Sequence, residues 1–288
     1  MKIGISMDAY RKAVDPVTAV RKLADIGFQA LDFNFSDYRE GSVLSQDNWK
    51  DIIMDIKNAA NSANIEFSQL HSPFYMIIDN NEHAEFEEMM TPRSFEACQI
   101  LDCKWAVIHS KRYEIGMSND NYEQTKSYNI SRVKRLCKQA KEFGISIALE
   151  NIFRFSEELK NSGINQTTDI IETIDNAGCD NLGVCFDTGH AFYEGIEPAD
   201  AAKQYGDRLR VLHIHDNSGK YDQHVAPFVG NINWNEFMKS LNEIKFQGVF
   251  SLEIHNYVQR MPVELIDDAV RMGYKIAKHL VNIKEKKI

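Results

Sequence analysis

The stretch VLHIHDNSGKYDQH, residues 211–224, places His213, His215, Asp216, Asp222 and His224 within fourteen positions, where an apolar strand pattern gives way to a polar loop. Imidazole nitrogens and carboxylate oxygens hold divalent cations, and they also move protons near neutral pH. The same residue types recur at the ends of other apolar runs: His71, His109, Glu150, Asp187 with His190 three positions on, and Glu253 with His255. Taken singly, each has an ordinary explanation as a helix cap, a hydrogen-bonded histidine or a surface ion-pair partner. Six successive runs ending this way need a common one. If the fold brings those ends to one partly desolvated mouth, uncompensated charges there are costly, whereas a divalent cation satisfies carboxylates and neutral imidazoles together.

The elements that would position these residues follow from periodicity. Strand patterns fall at 2–7, 30–35, 66–72, 105–110, 146–151, 182–187, 209–216 and 249–255, each short, apolar and flanked by polar or turn residues. Between them lies a helix with Asp15 as N-cap, Pro16 at its first position and Gly27 as its stop, an arrangement that capping preferences favour. Further helix patterns cover about 47–62, 85–101, 121–142, 168–176, 198–206, 234–244 and 262–282. Eight alternating units predict a parallel sheet closed into a single (β/α)8 TIM barrel over residues 1–288, because each helix supplies a parallel crossover. An open doubly wound sheet would carry a glycine-rich phosphate turn after an early strand, and the turn after KIGISM has none.

In such a barrel, functional side chains stand at the C-terminal ends of the strands. Residues two apart share a face, so His213 aligns with His215 and Glu253 with His255, while Ile214 and Ile254 face the helices. At a rise of about 3.3 Å per residue, His215 would lie roughly 6–7 Å above His213. That predicts His215 and His255 as rim residues or outer partners of the site.

Composition bounds the setting. A chain of 288 residues, 43% apolar and 26% charged, fits one barrel with a buried core. A formal charge of −9 argues against nucleic acid as a partner, and the basic end KEKKI reads as a solvated helix terminus. Five cysteines without a CxxC pair read as reduced thiols, which together with the absence of a signal-peptide pattern predicts a cytoplasmic protein. No apolar run is long enough for a membrane span.

In ALEN (Glu150), CFDTGHA (Asp187, His190), HIHDN (His213) and LEIH (Glu253), in this order on strands five to eight, the chain resembles the xylose-isomerase-like TIM-barrel family. That family holds sugar isomerases and epimerases, inosose dehydratases and endonuclease IV, and the likeness runs over nearly the whole chain. It implies that Glu150, Asp187, His213 and Glu253 hold one divalent ion (Mn2+, Co2+, Zn2+ or Mg2+). It also implies that Glu150 and Glu253 are a catalytic pair on opposite faces of the substrate. His71, His109, His190, His215, Asp222, His224 and Arg154 are the expected substrate contacts, with His190 matching a sugar-contacting residue of the epimerases. Lys111 and Arg112 are further candidates, and Phe33, Phe35, Phe74, Tyr75 and Phe153 could stack on a sugar. Trp234 reads instead as a seat for the helix that follows.

The resemblance to endonuclease IV covers the nine residues that hold three zinc ions in that enzyme, matched here by His71, His109, Glu150, Asp187, His190, His213, Asp222, His224 and Glu253. A second or third ion therefore stays open. The loops fit the sugar-acting branch better: endonuclease IV has ENTAG and HLNDS where this chain has ENIFR and HIHDN. Two departures leave the substrate open, PFVG (227–230) in place of a PGxG turn and Gly219 where tagatose-type epimerases carry an arginine.

The expected function is a divalent-metal-dependent isomerase or epimerase for a sugar, sugar phosphate or polyol. It would act through a metal-bound enediolate, with Glu253 as the initial base. The alternatives are a hydride shift, an inosose-dehydratase-like lyase, an endonuclease-IV-like phosphodiesterase on abasic DNA, and a non-enzymatic sugar-binding barrel. A homo-oligomer stays open.

Overall fold

The computed structural model describes residues 1–35, 42–78, 81–113, 121–153 and 164–283. Arg154 and the basic end 284–288 lie outside the described residues. The chain alternates strands and helices in the expected order: β1 (Ile3–Ser6), α1 (Pro16–Ile26), β2 (Ala30–Asn34), α2 (Trp49–Ala63), β3 (Glu66–His71) and α3 (Glu82–Ile100). There follow β4 (Trp105–His109), α4 (Asn121–Glu142), β5 (Ser146–Glu150), α5 (Thr167–Ala177) and β6 (Leu182–Asp187). The last part holds α6 (Thr188–Tyr193), α7 (Pro198–Tyr205), β7 (Leu209–His213), α8 (Trp234–Glu243), β8 (Phe250–Leu252), α9 (His255–Gln259) and α10 (Ile266–Ile283). Helix α1 starts and stops as its sequence requires. Asp15 accepts from the Thr18 amide, Pro16 opens the helix, and Gly27 closes it in the left-handed region.

All pairings between strands are parallel, in the order β7-β6-β5-β4-β3-β2-β1-β8. The ring closes between β7 and β8 through the Ile214↔Leu252 bridge, with Ile214 donating to the Ser251 carbonyl and Glu253 to that of Ile214. The fold is thus a single (β/α)8 TIM barrel. Strand alternation splits its side chains cleanly. Ile108, Leu149, Phe186 and Leu212 point outward into the main apolar core under the helices. Val107, Ala148, Cys185 and Val211 form a small apolar layer of their own. Two residues further along the same four strands come His109, Glu150, Asp187 and His213, which therefore form the next layer on the same face. Ladder register fixes their neighbours: His109 pairs with Glu150, Asp187 with His213, and Asn34 with His71.

Candidate metal centre and active site

The interior layer is polar because it is the last one before the mouth. His213 Nδ1 lies 3.2 Å from Glu150 Oε1 and 3.6 Å from Glu253 Oε2. His71 stacks on His213 with ring centroids 4.3 Å apart, and its Nε2 sits 3.7 Å from Glu150 Oε2 and 3.8 Å from Glu253 Oε1. One donor atom from each of His71, Glu150, His213 and Glu253 falls within 4.8 Å of the others. Three of the four expected ligands thus converge, with His71 as the fourth member of the group. Asp187 stands at its edge, close to Glu150 and His190 on one side and to His215 and Glu253 on the other.

The donor set fits a divalent ion. Glu150 Oε2, Asp187 Oδ2 and Glu253 Oε2 are buried oxygens on which no hydrogen-bond donor lines up. His109 Nε2 comes to 2.9 Å of Glu150 Oε2, off the line a hydrogen bond needs. Buried anionic oxygens without donors are expensive unless a cation meets them.

A second group lies beside the first. His190, His215, Asp222 and His224 bring one donor each within 4.8 Å of the others. His224 Nε2 is 2.9 Å from Asp222 Oδ2, and its Nδ1 donates to the Glu253 carbonyl at 3.1 Å. His190 donates from Nδ1 to the Asn151 carbonyl at 2.9 Å, which turns Nε2 toward Asp222, 3.8 Å away. Of the two expectations for His215, a rim residue or an outer partner of the site, its burial corrects the first. Its ring is fully buried, with Nε2 2.9 Å from Asp187 Oδ1 and its face stacked on His224 at 3.8 Å. Ile214 still bridges Leu252 beyond the end of β7, and the His215 ring is buried by the cover of His224 and Asp222 from the following loop and of Asp187. The space it fills is left by Gly189, where a Cβ would come within 1.8 Å of His215 Cε1. His255 opens α9 with its ring 4.2 Å from that of His224, the outer position expected of it.

Electrostatics separates the two glutamates. Burial raises both, but at Glu150 the neighbouring His213 and His109 overcome it and hold the carboxyl well below its usual range. At Glu253 burial prevails, with the charges of Glu150, Asp187 and Asp32 adding to it, and the carboxyl is pushed well above its ordinary value. In the ion-free chain Glu253 is therefore the member of the pair that holds its proton more tightly, opposite to what an initial base requires. A cation beside it reverses that, since positive charge favours the carboxylate. His71 runs against its own burial, pushed up to about 10 by Asp32, Glu253 and Glu150.

Several positioning residues escaped the sequence reading. Asn151 ties β5 to β6 by donating to the Asp187 carbonyl and accepting the Asp187 amide. Asp216 collects four donors on one buried carboxylate, the amides of Asn217, Phe228 and Ile232 and the Trp234 indole. It thereby seats both α8, as Trp234 suggested, and the loop carrying Asp222 and His224. Lys111 is neither a substrate contact nor a solvated charge. It is buried in an ion pair with Glu87, which also binds Arg132, and Arg132 donates to the His109 carbonyl. Among the aromatics, Phe74 stacks on His109 and Phe153 leans on His190, whereas Phe33 and Phe35 pack on each other within the apolar core.

The fold and site define a class: a parallel eight-stranded barrel that gathers buried carboxylates and imidazoles at the C-terminal ends of its strands. Residues 20–276 match the family described as xylose isomerase-like TIM barrel, and the chain belongs to it. Among curated relatives it is 27% identical to an inosose isomerase of Bacillus licheniformis, over 59% of each chain. It is 24% identical to a D-psicose 3-epimerase of Enterocloster bolteae, over 47% of this chain and 42% of that protein. The matched stretches thus span well under two thirds of these relatives. Among solved structures, a D-tagatose 3-epimerase-like protein superposes with a TM-score of 0.80 at 24% identity, covering 99% of this chain and 98% of its own. The IOLI protein, crystallised with a zinc atom, superposes with a TM-score of 0.78 at 17% identity over 99% of each chain. At those identities the structures speak for the fold alone. No helix among the described residues is long and apolar enough to cross a membrane.

Proposed function

We propose that this barrel is a divalent-metal-dependent isomerase or epimerase acting on a small sugar or polyol, free or phosphorylated. The observation that carries the reading is the pair Glu150 and Glu253, which both approach His213 Nδ1, each with a buried oxygen that lacks a donor. Epimerase and isomerase activities among the relatives support it. Glu150, Asp187, His213 and Glu253 would hold the ion, with His71 beside them. When bound, it would supply Lewis-acid polarisation of a carbonyl. Glu150 and Glu253 take and return the proton at the carbon next to that carbonyl, one on each face. His109 and His190, backed by Phe74 and Phe153, border the same space and orient hydroxyls.

The test is turnover of ketoses and inososes in D2O by protein loaded with Mn2+, Co2+, Zn2+ or Mg2+. Deuterium at the carbon beside the carbonyl is the expected result, and Glu253→Gln should lower kcat by more than about 10²-fold. Retention of wild-type kcat by that variant at full metal occupancy refutes the pair. The nine-residue match with endonuclease IV keeps one rival in the same assay. Three tightly held zinc ions per chain, together with cleavage of abasic-site DNA, would replace the isomerase by a phosphodiesterase.

A further inference from the structure

Asp32 is not among the metal donors or substrate contacts named so far, yet it lies in the barrel interior with no exposed surface. It sits on β2 where the ladder with β3 shifts register between Leu31 and Asp32, and the shift sets Asp32 opposite Gln69. Such irregularities re-aim side chains. Its carboxylate meets one edge of the His71 ring, with Oδ1 3.2 Å and Oδ2 3.0 Å from Nδ1. Gln69 Nε2 steadies it, reaching Asp32 Oδ2 at 3.5 Å and the Leu212 carbonyl at 3.4 Å. The opposite edge of His71, Nε2, faces Glu150 and Glu253.

The two edges of an imidazole are coupled. A ring that donates Nδ1–H to a carboxylate presents a lone pair at Nε2, and the same contact fixes the rotation of the ring and raises the donor strength of Nε2. We propose that Asp32 is a positioning residue that locks His71 as a nitrogen donor to the ion held by Glu150, His213 and Glu253. The proposal rests on the metal-dependent reading above but goes further, because it gives Asp32 a role in fixing the tautomer and rotation of His71. Without Asp32 the ring is free to carry its proton on Nε2, where a hydrogen would face the cation.

The experiment uses the full chain and zinc alone, with no sugar. Long-range 15N–1H correlation spectra of the zinc-loaded wild type should show His71 with a protonated Nδ1 and a metal-bound Nε2. Asp32→Leu removes the acceptor and should weaken zinc binding about 10- to 100-fold in competition with a chromogenic chelator. It should also change the visible absorption of the Co2+ form, a readout that a merely structural role leaves alone. Asp32→Asn keeps an acceptor oxygen and should fall between the two, and it carries the comparison if the leucine variant fails to fold. A His71 ring with a protonated Nε2 or no bond to zinc overturns the proposal. So does zinc affinity within about threefold of wild type in both variants, with an unchanged Co2+ spectrum. A wild type that takes up no ion would overturn both the proposal and the metal-dependent reading, and differs visibly from one that binds zinc without His71.

Discussion

Gly189 offers a test in which two physical effects oppose each other. It lies in α6, where replacing glycine by alanine ordinarily stabilises by up to about 1 kcal/mol. Here an added Cβ would stand 1.8 Å from His215 Cε1, 2.3 Å from Nδ1 and 2.6 Å from Nε2. Relaxed carbon contacts need about 3.5 Å, so the ring would have to retreat by roughly 1.7 Å. Behind it stands His224 at a 3.8 Å stacking distance, and at its edge Asp187 at 2.9 Å. Neither leaves room. Overpacking of this kind costs about 1–3 kcal/mol, which outweighs the helix gain. Gly189→Ala should therefore destabilise by about 1–2 kcal/mol, read as a lower urea midpoint with an unchanged m-value. In a His215→Ala background the clash disappears, so the same substitution should become neutral or stabilising, a coupling that a double-mutant cycle measures. An alanine variant as stable as its parent with His215 in place would refute the steric argument.

Two further outcomes follow from groups placed above. Asp216→Ala strands four donors and should cost at least about 3 kcal/mol. Amide exchange should rise across 217–233 first, and protection there equal to wild type would contradict the anchoring role. Because the folded Glu253 carboxyl is raised above its ordinary value near 4.5, its contribution is complete below that value and is lost as pH rises toward the folded pKa. Chelated wild type should therefore lose stability as pH rises above the ordinary carboxylate range more steeply than Glu253→Gln, and parallel curves would dismiss the shift.

The parts of the structure that were legible in the sequence are those set by local period. Alternation along WAVIH, SIALE, LGVCFD and LRVLH puts His109, Glu150, Asp187 and His213 on one face without reference to any partner. What escaped depends on distant contacts. Helix α6 begins where the Asp187 side chain accepts the His190 amide at 2.7 Å, turning the chain directly off the strand, and no helix pattern was read there. His215 was read as a rim residue or an outer partner, and its burial comes from Asp222 and His224 in the loop that follows, which no local period reveals. Asp32 drew no reading from the sequence, since its partner His71 lies 39 residues away. Lys111 was a candidate substrate contact for the same reason, as Glu87 reaches it from α3.

The closing strand of the ring has a consequence for assembly. Strand β8 is three residues long, pairs with β1 along one side, and carries Glu253 immediately after it. The ring therefore joins the two ends of the chain, a contact of long sequence separation that forms slowly. Until it forms, the carboxylates and imidazoles of the other strands remain hydrated, and their mutual repulsion is screened by water. Docking of β8 expels that water and adds one more acid in the same step. Closure of the ring between β7 and β8 thus also completes the cluster of buried acids and imidazoles at the mouth. A chain emerging from the ribosome can be ready in seven strands and still have no site, and a truncation of the last few dozen residues removes the site together with the seal of the barrel.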